Sequence, residues 1–336
     1  MTQSTNQTAM NSNPAVSVIL PIYNVEKYLE QCLDSVCSQT LQDIEIICID
    51  DGATDGSVKI IDRFAEKDKR VVPIHKQNEG YGKGVNTGLS IARGQYVGIV
   101  EPDDYIDPCM FEKLFNAARQ FEFPDIVKGS YWRVCNAGTS REGIEPSYYQ
   151  GKVKCVNTRF TIDQDASLLY YHPSIWTAIY KREWLADNNI KMKEIPGAGW
   201  ADNPWLMETM LAASSIVYID EPLYYYREFE SGSSSNVKDP SIIYNRWFDM
   251  DEILKRNNIT EPHILDAHYS RGCAYLDMLE RGFDRNDPEI AAAIAKMLSL
   301  MDGKAIMKSK DILRDWKYVY RKHAPLNEKL LYWLRR

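Results

Sequence analysis

The chain has 336 residues, 44% hydrophobic and 26% charged, with a formal net charge of −7; this is the composition of an ordinary folded protein and excludes a fibrous or disordered chain. The charge is uneven: residues 304–336 hold ten Lys and Arg against three Asp and Glu, a local +7, so the rest carries −14, which argues against nucleic acid as a partner. No apolar run approaches the roughly 18 residues of a membrane span, and seven scattered Cys with no CxxC pair and five His without zinc spacing exclude a recognisable disulfide framework or zinc site and point to a reducing, cytoplasmic setting.

Residues 1–14 are polar, lack the apolar centre of a signal peptide and read as a disordered leader. Residues 16–20 (VSVIL) form a buried-strand run that Pro21-Ile22-Tyr23-Asn24 is expected to break. Leu29, Cys32, Leu33 and Val36 then recur at helical spacing. Residues 45–49 (EIICI) predict a second strand ending in Asp50-Asp51-Gly52, and Thr54-Asp55-Gly56-Ser57 supplies turn and cap chemistry before a helix carrying Ile60, Ile61 and Phe64. A third strand at 71–74 leads through the glycine-bearing loop QNEGYGK (77–83) into a helix with Val85, Leu89 and Ala92. The apolar run 96–100 predicts a fourth strand. It ends in Glu101, Asp103 and Asp104, with Pro102 between the first two, so the backbone must leave the sheet there. Met110, Phe111, Leu114, Phe115 and Ala118 mark the next helix face.

Strands alternating with helices imply a parallel sheet with right-handed crossovers. Neither GxGxxG nor GxxxxGK[ST] occurs, so the acidic strand ends are the candidate binding apparatus. Both clusters, Asp50-Asp51 and Glu101-Asp103-Asp104, belong at the carboxyl ends of strands, where an open α/β sheet binds ligands. Ionised carboxylates only accept hydrogen bonds and suit base N–H groups or ribose hydroxyls. Three of them within four positions call for a cation, and Mg²⁺ typically bridges carboxylates to substrate phosphates. Taken alone, the Glu101-Asp103-Asp104 cluster reads equally well as a solvated acidic loop, and Asp50 reads more readily as the cap of a turn.

The stretches VSVILPIYN, IDDGATDGS and QNEGYGKGVNTGLSIARGQYVGIVEPDD, in that order, resemble glycosyltransferase family 2, closely over about residues 16–130 and more loosely to about 235. The resemblance implies the GT-A nucleotide-sugar fold: a mostly parallel central sheet with helices on both faces, here followed by a helical C-terminal extension. It also implies inverting, metal-assisted transfer from a nucleotide-diphosphate sugar, most simply a UDP-sugar, to a hydroxyl of a glycan or lipid-linked acceptor in polysaccharide assembly. By the same match Pro21, Ile22 and Tyr23 line the base pocket, Asp51 helped by Asp50 reads the nucleotide, and Asp103 binds Mn²⁺ or Mg²⁺. Glu101 contacts ribose or metal-bound water and Asp104 supports both. Glu101 stands where the family's Asp-x-Asp has aspartate, and its extra methylene moves the carboxylate.

Past the sheet, residues 130–161 show no clean period and read as an acceptor-side region. The segment 197–203 (GAGWADN) matches the family's Glu-Asp pair, which makes Asp202 the general base, with Ala201 in place of the first acid. Asn203-Pro204 followed by Leu206, Met207, Met210 and Leu211 also reads as a helix start, with Asp202 as its cap. Tyr224-Tyr225-Tyr226-Arg227, followed by serines at 231 and 233–235, resembles the family's stretch that closes over the diphosphate. Arg227 would bind phosphate through its forked donors and Lys83 would approach the same charge, with a surface ion pair the plain alternative for Arg227. The organisation expected is thus a leader at 1–14, a GT-A domain at 15–236 and a helical extension at 237–336. The last of these ends in basic amphipathic helices, which either lie on an anionic membrane at the inner face of the cell membrane or pack on their own domain. A sugar nucleotidyltransferase would want a glycine-rich, arginine-bearing loop after the first strand, and Pro21-Ile22-Tyr23-Asn24 stands there instead; a non-catalytic nucleotide-sugar-binding subunit is the other alternative.

Overall fold

A computed structural model describes residues 13–228, 237–284 and 286–324. The predicted leader (but for residues 13 and 14), the serine run and the last apolar face of the tail lie outside these described residues.

Strand β1 (Val16–Ile22), helix α1 (Glu26–Cys37), β2 (Ile44–Asp50), α2 (Ser57–Lys67), β3 (Val71–His75), α3 (Tyr81–Ile91) and β4 (Tyr96–Ile99) alternate as the periodicity predicts. A two-residue strand β5 (Tyr105–Ile106) and helix α4 (Met110–Gln120) follow. β1 and β2 are buried along their whole length, which explains why they read as continuous apolar runs and not as alternation. The predicted helix faces are the buried ones: Leu29, Cys32, Leu33 and Val36 on α1, and Met110, Phe111, Leu114, Phe115 and Ala118 on α4. Each large side chain so buried stabilises by about 1.5–3 kcal/mol.

Pro21 does not end β1. The strand runs on through Ile22, in register with β2 as far as Asp50. Ile19 accepts from Val100 N, so Pro21, two residues on, faces the same neighbour just past the point where β4 stops pairing at Ile99. Its missing N–H is needed by nothing.

The second half of the sheet is mixed. Strands β6 (Ile126–Cys135), β7 (Gly143–Pro146), β8 (Arg159–Phe160), β9 (Ala178–Lys181) and β10 (Ile216–Glu228) complete the order β3-β2-β1-β4-β9-β6-β10-β5, with β7 on β6 and β8 on β10. β9 runs antiparallel between β4 and β6, while β6 and β10 are parallel. Much of β6 falls in the stretch without clean periodicity. Its middle holds Lys128, fully buried, whose ammonium donates to the carbonyl and hydroxyl oxygens of Ser174, to Pro173 O and to Thr177 Oγ1. Burial of a lysine on these terms has no local sequence signature.

Helices α5 (Arg182–Asp187) and α6 (Asp202–Ala212) precede β10. After it come α7 (Pro240–Arg256), α8 (Pro262–Gly282), α9 (Pro288–Leu300), α10 (Gly303–Lys308) and α11 (Arg314–His323). Proline opens α7, α8 and α9, where its missing N–H costs nothing. Asp239, Asp287 and Asp302 cap α7, α9 and α10 with side-chain hydrogen bonds. Packing crosses the expected domain limit at 236/237: α6, whose Trp205, Leu206, Met207 and Met210 are buried, lies against α7, and α7 against α8. Among the described residues no helix is long and apolar enough to cross a membrane.

Candidate functional site

The carboxyl ends of β1, β2 and β4 open into a cavity of about 1350 Å³. They adjoin where the order 3-2-1-4 reverses direction, the place a doubly wound sheet presents its ligand crevice. Of the residues singled out from sequence, Pro21, Ile22, Tyr23, Asp51, Glu101, Asp103, Asp104, Asp202 and Arg227 line this cavity, and Asp50 and Lys83 do not.

The two aspartates ending β2 part company because neighbouring residues point to opposite sides of a strand. Asp50 turns to His75, whose Nδ1 lies 2.9 Å from Asp50 Oδ2, and accepts from Ala53 N. It organises a turn and does not face a donor. Asp51 turns inward. It accepts from Glu79 N at 3.0 Å and Gly80 N at 2.8 Å and pairs with Lys76, so it ties β2 to the start of α3. Lys83 lies on α3 outside the cavity lining, half-buried, 3.5 Å from Glu194. Phosphate contact by Lys83 is therefore not supported, because helical spacing sends it away from the cavity.

Tyr81 opens α3, and its hydroxyl donates to Glu101 Oε1 at 2.6 Å. The Glu101 carboxyl is pushed up to about 8, chiefly by burial and further by Asp103 and Asp202, against the downward pull of the Tyr81 hydrogen bond. Burial likewise raises Asp103, against the pull of Arg227. Asp104 is 1% exposed, and both its oxygens are taken by β10: Arg227 N donates at 2.7 Å and Tyr224 OH at 2.9 Å. It fastens the acidic turn to the sheet. Arg227 is held over the Tyr105 and Tyr28 rings, donates to the carbonyl of Asp103 and to Gln31 Oε1, and among the described residues keeps N–H donors to spare. The surface ion pair considered for it is not what the fold builds.

Among the described residues no three His, Cys, Asp or Glu converge to hold a metal ion unaided. Among the described residues Asp103 nevertheless accepts from no other side chain, whereas Glu101 and Asp104 are engaged. One free carboxylate at the wall of a large cavity fits a cation whose other ligands come from substrate and water, the usual habit of Mg²⁺.

Asp202 follows a loop with three left-handed residues in four positions: Gly197, Gly199 and Trp200 have φ of 66°, 47° and 56°. Ala201, not Asp202, occupies the cap position, and Asp202 is the first residue of α6. Burial raises its carboxyl, while Arg271 and the Asn203 amide pull it down. Arg271 and Tyr275 come from α8, so the C-terminal helices form one wall of the site. Sequence reading missed them, and missed Tyr81: a tyrosine in a glycine-bearing loop and an arginine inside an amphipathic helix carry no local mark of function. The same wall continues through Tyr171, Lys152, Asp311 and Trp316.

The family model described as glycosyl transferase family 2 matches residues 17–186, about half of the chain. The chain is 34% identical over 224 residues to the uncharacterized glycosyltransferase EpsJ of Bacillus subtilis, covering 64% of this chain and 61% of EpsJ, so the match spans less than two thirds of that relative. It is 33% identical over 226 residues to the glycosyltransferase GlyG of Streptococcus pneumoniae, covering 65% of this chain and 72% of GlyG. The crystal structure of S. aureus TarS 1–349 in complex with UDP-GlcNAc superposes with a TM-score of 0.72 at 21% identity, covering 93% of each chain, and shares the GT-A fold.

Proposed function

The chain belongs to glycosyl transferase family 2, and from that premise we propose that it moves a sugar from a nucleotide-diphosphate donor, UDP-linked, to a hydroxyl of a glycan or lipid-linked acceptor, with inversion at the anomeric carbon. The observation that carries this reading is the convergence of Asp51, Asp103 and Asp202 on one cavity: a nucleotide wall, a cation ligand and a base with an acceptor-sized space beyond them.

In this reading Pro21, Ile22 and Tyr23 bound the base pocket and Asp51 holds its rim. Asp202 takes the proton of the acceptor hydroxyl as that oxygen attacks C1 from the face opposite the leaving group. The bond from C1 to the diphosphate oxygen breaks and its electron pair leaves with the nucleotide. No covalent enzyme intermediate forms, so one base suffices. Arg227 faces the negative charge of the leaving group with its spare donors. A Mn²⁺ or Mg²⁺ ion held by Asp103 would neutralise the diphosphate. The UDP-GlcNAc bound by TarS supports a UDP donor. The cavity exceeds the roughly 300–1,000 Å³ usual for one small ligand, which supports donor and acceptor lying in it together.

The test is a panel of UDP-, GDP- and CMP-sugars, read as thermal stabilisation and donor hydrolysis with and without Mn²⁺. Asp202→Asn is expected to abolish transfer and retain UDP binding. Transfer at the wild-type rate by this variant would remove Asp202 from the mechanism.

A further inference from the structure

Asn203, next to the proposed base, is 6% exposed. Its amide has one acceptor end and one donor end. Arg271 Nη1 lies 2.9 Å from Asn203 Oδ1, and the Tyr275 hydroxyl lies 2.8 Å from the same atom. A guanidinium only donates, so the end that meets it is the oxygen. The NH₂ end is thereby turned to Asp202, where Nδ2 lies 3.2 Å from Oδ1. Arg271 cannot swing away: its Nε donates to Leu169 O at 2.6 Å and its Nη2 to the Tyr171 carbonyl. It is 7% exposed, where water competes little and charge-assisted hydrogen bonds are strong.

We propose that Arg271 and Asn203 form a clamp, delivered by α8, that occupies Oδ1 of Asp202 and leaves Oδ2 as the oxygen presented to the acceptor hydroxyl. Both are positioning residues. The inference rests on the reading of Asp202 as base and adds that the C-terminal helices take part in the chemistry through Arg271. Oδ2 accepts from no other side chain among the described residues, consistent with an atom kept for substrate. The Asp202 and Asn203 backbone N–H groups also favour its ionised form, and the titratable groups that face it are Glu101 and Tyr81 across the cavity, Tyr226 on β10 and Tyr275 on α8. None of these is a cation, so Arg271 is the positive group on this carboxylate.

The experiment uses the full chain labelled with carboxyl-¹³C aspartate, the Asp202 resonance being the one lost in Asp202→Asn. A donor N–H and a positive charge both favour the ionised carboxylate. Asn203→Ala and Arg271→Gln are each expected to move the Asp202 titration to higher pH. With the donor that the nucleotide-sugar panel identifies, kcat should fall about tenfold or more at unchanged donor KM, as for a misplaced catalytic group. Asn203→Ala keeps the Arg271 cation and tests the amide should Arg271→Gln fail to fold. An Asp202 midpoint and a kcat both unmoved in Asn203→Ala overturn the clamp while leaving the base reading intact, provided Asp202→Asn is inactive. An active Asp202→Asn overturns the base reading instead.

Discussion

His172 is a buried imidazole at the cavity wall whose Nδ1 accepts from Ser174 N at 3.0 Å. Burial pushes its titration down to about 3, with the Arg271 and Lys128 charges pushing the same way. The unfolded chain therefore binds a proton near pH 6.5 that the folded chain refuses. Stability from this residue is complete above about pH 6.5 and is lost as pH falls from there toward 3, at up to about 1.4 kcal/mol per pH unit. Urea denaturation of His172→Gln should show a shallower loss of stability between pH 6.5 and 4 than the wild type; equal slopes would mean the imidazole is protonated in the fold. Asp51 and Lys83 give a second residue-level contrast. Asp51→Ala strips the partner from two backbone N–H groups, each costing about 1–3 kcal/mol when unsatisfied, so its denaturation midpoint should drop. Lys83→Ala should leave UDP affinity within about twofold by calorimetry, since its ammonium faces Glu194. That these acids matter could be read from their place at strand ends. Which of two adjacent aspartates faces in could not, because it depends on the strand's last dihedral angles and on the partners waiting there.

At the scale of elements, the loop before α3 and the segment before α6 are built against each other. Gly80 has φ of +93°, and a Cβ there would stand 2.6 Å from Ile195 O; at Gly82 it would stand 2.0 Å from Lys193 O. Tyr81 N completes the contact by donating to Gly197 O at 3.2 Å. The QNEGYGK loop thus carries the segment that leads to Asp202, some 120 residues later in the chain. Gly82→Ala must displace that segment. The expected result is a fall in kcat of about tenfold or more, since small misplacements near the chemistry are costly, with UDP affinity retained. A wild-type kcat in a folded Gly82→Ala protein would show that the contact does not govern Asp202. The helices and parallel strands of residues 16–120 were legible because their apolar spacing is local. β6 was not, because Lys128 and Gly129 interrupt its pattern and the Lys128 ammonium finds its partners at residues 173, 174 and 177, far along the chain.

For the molecule as a whole, the helices after residue 237 close the far side of the cavity. Ending the chain at residue 236 would expose the apolar surface that α6 turns to α7 and would remove Arg271. Such a truncation is expected to give little soluble protein and no transfer, measured by yield and by donor turnover; a stable, active truncation would return these helices to the status of an appendage. The basic end of the chain is a separate matter. α11 keeps Val319 and Tyr320 buried against the body while its last turn is basic, so the described part of the tail packs and exposes charge at once. If residues 304–336 also meet an anionic membrane, deleting 325–336 should weaken sedimentation with phosphatidylglycerol vesicles, at about 1 kcal/mol per basic residue lost; unchanged binding would assign these helices to packing alone.

By itself the sequence determined the alternation of strand and helix, the acids at the strand ends and the family. Each is written in short-range periodicity or in contiguous motifs, and burial on both faces of a parallel sheet leaves little freedom in how such runs are used. The tertiary structure alone decided that Asp50, Asp104 and Lys83 face away or are already engaged, that Tyr81 meets Glu101, and that an arginine 69 residues after Asp202 fixes the amide beside it. Those outcomes turn on side-chain direction and on the pairing of buried donors with acceptors far apart in the chain, which exist only once the core has closed.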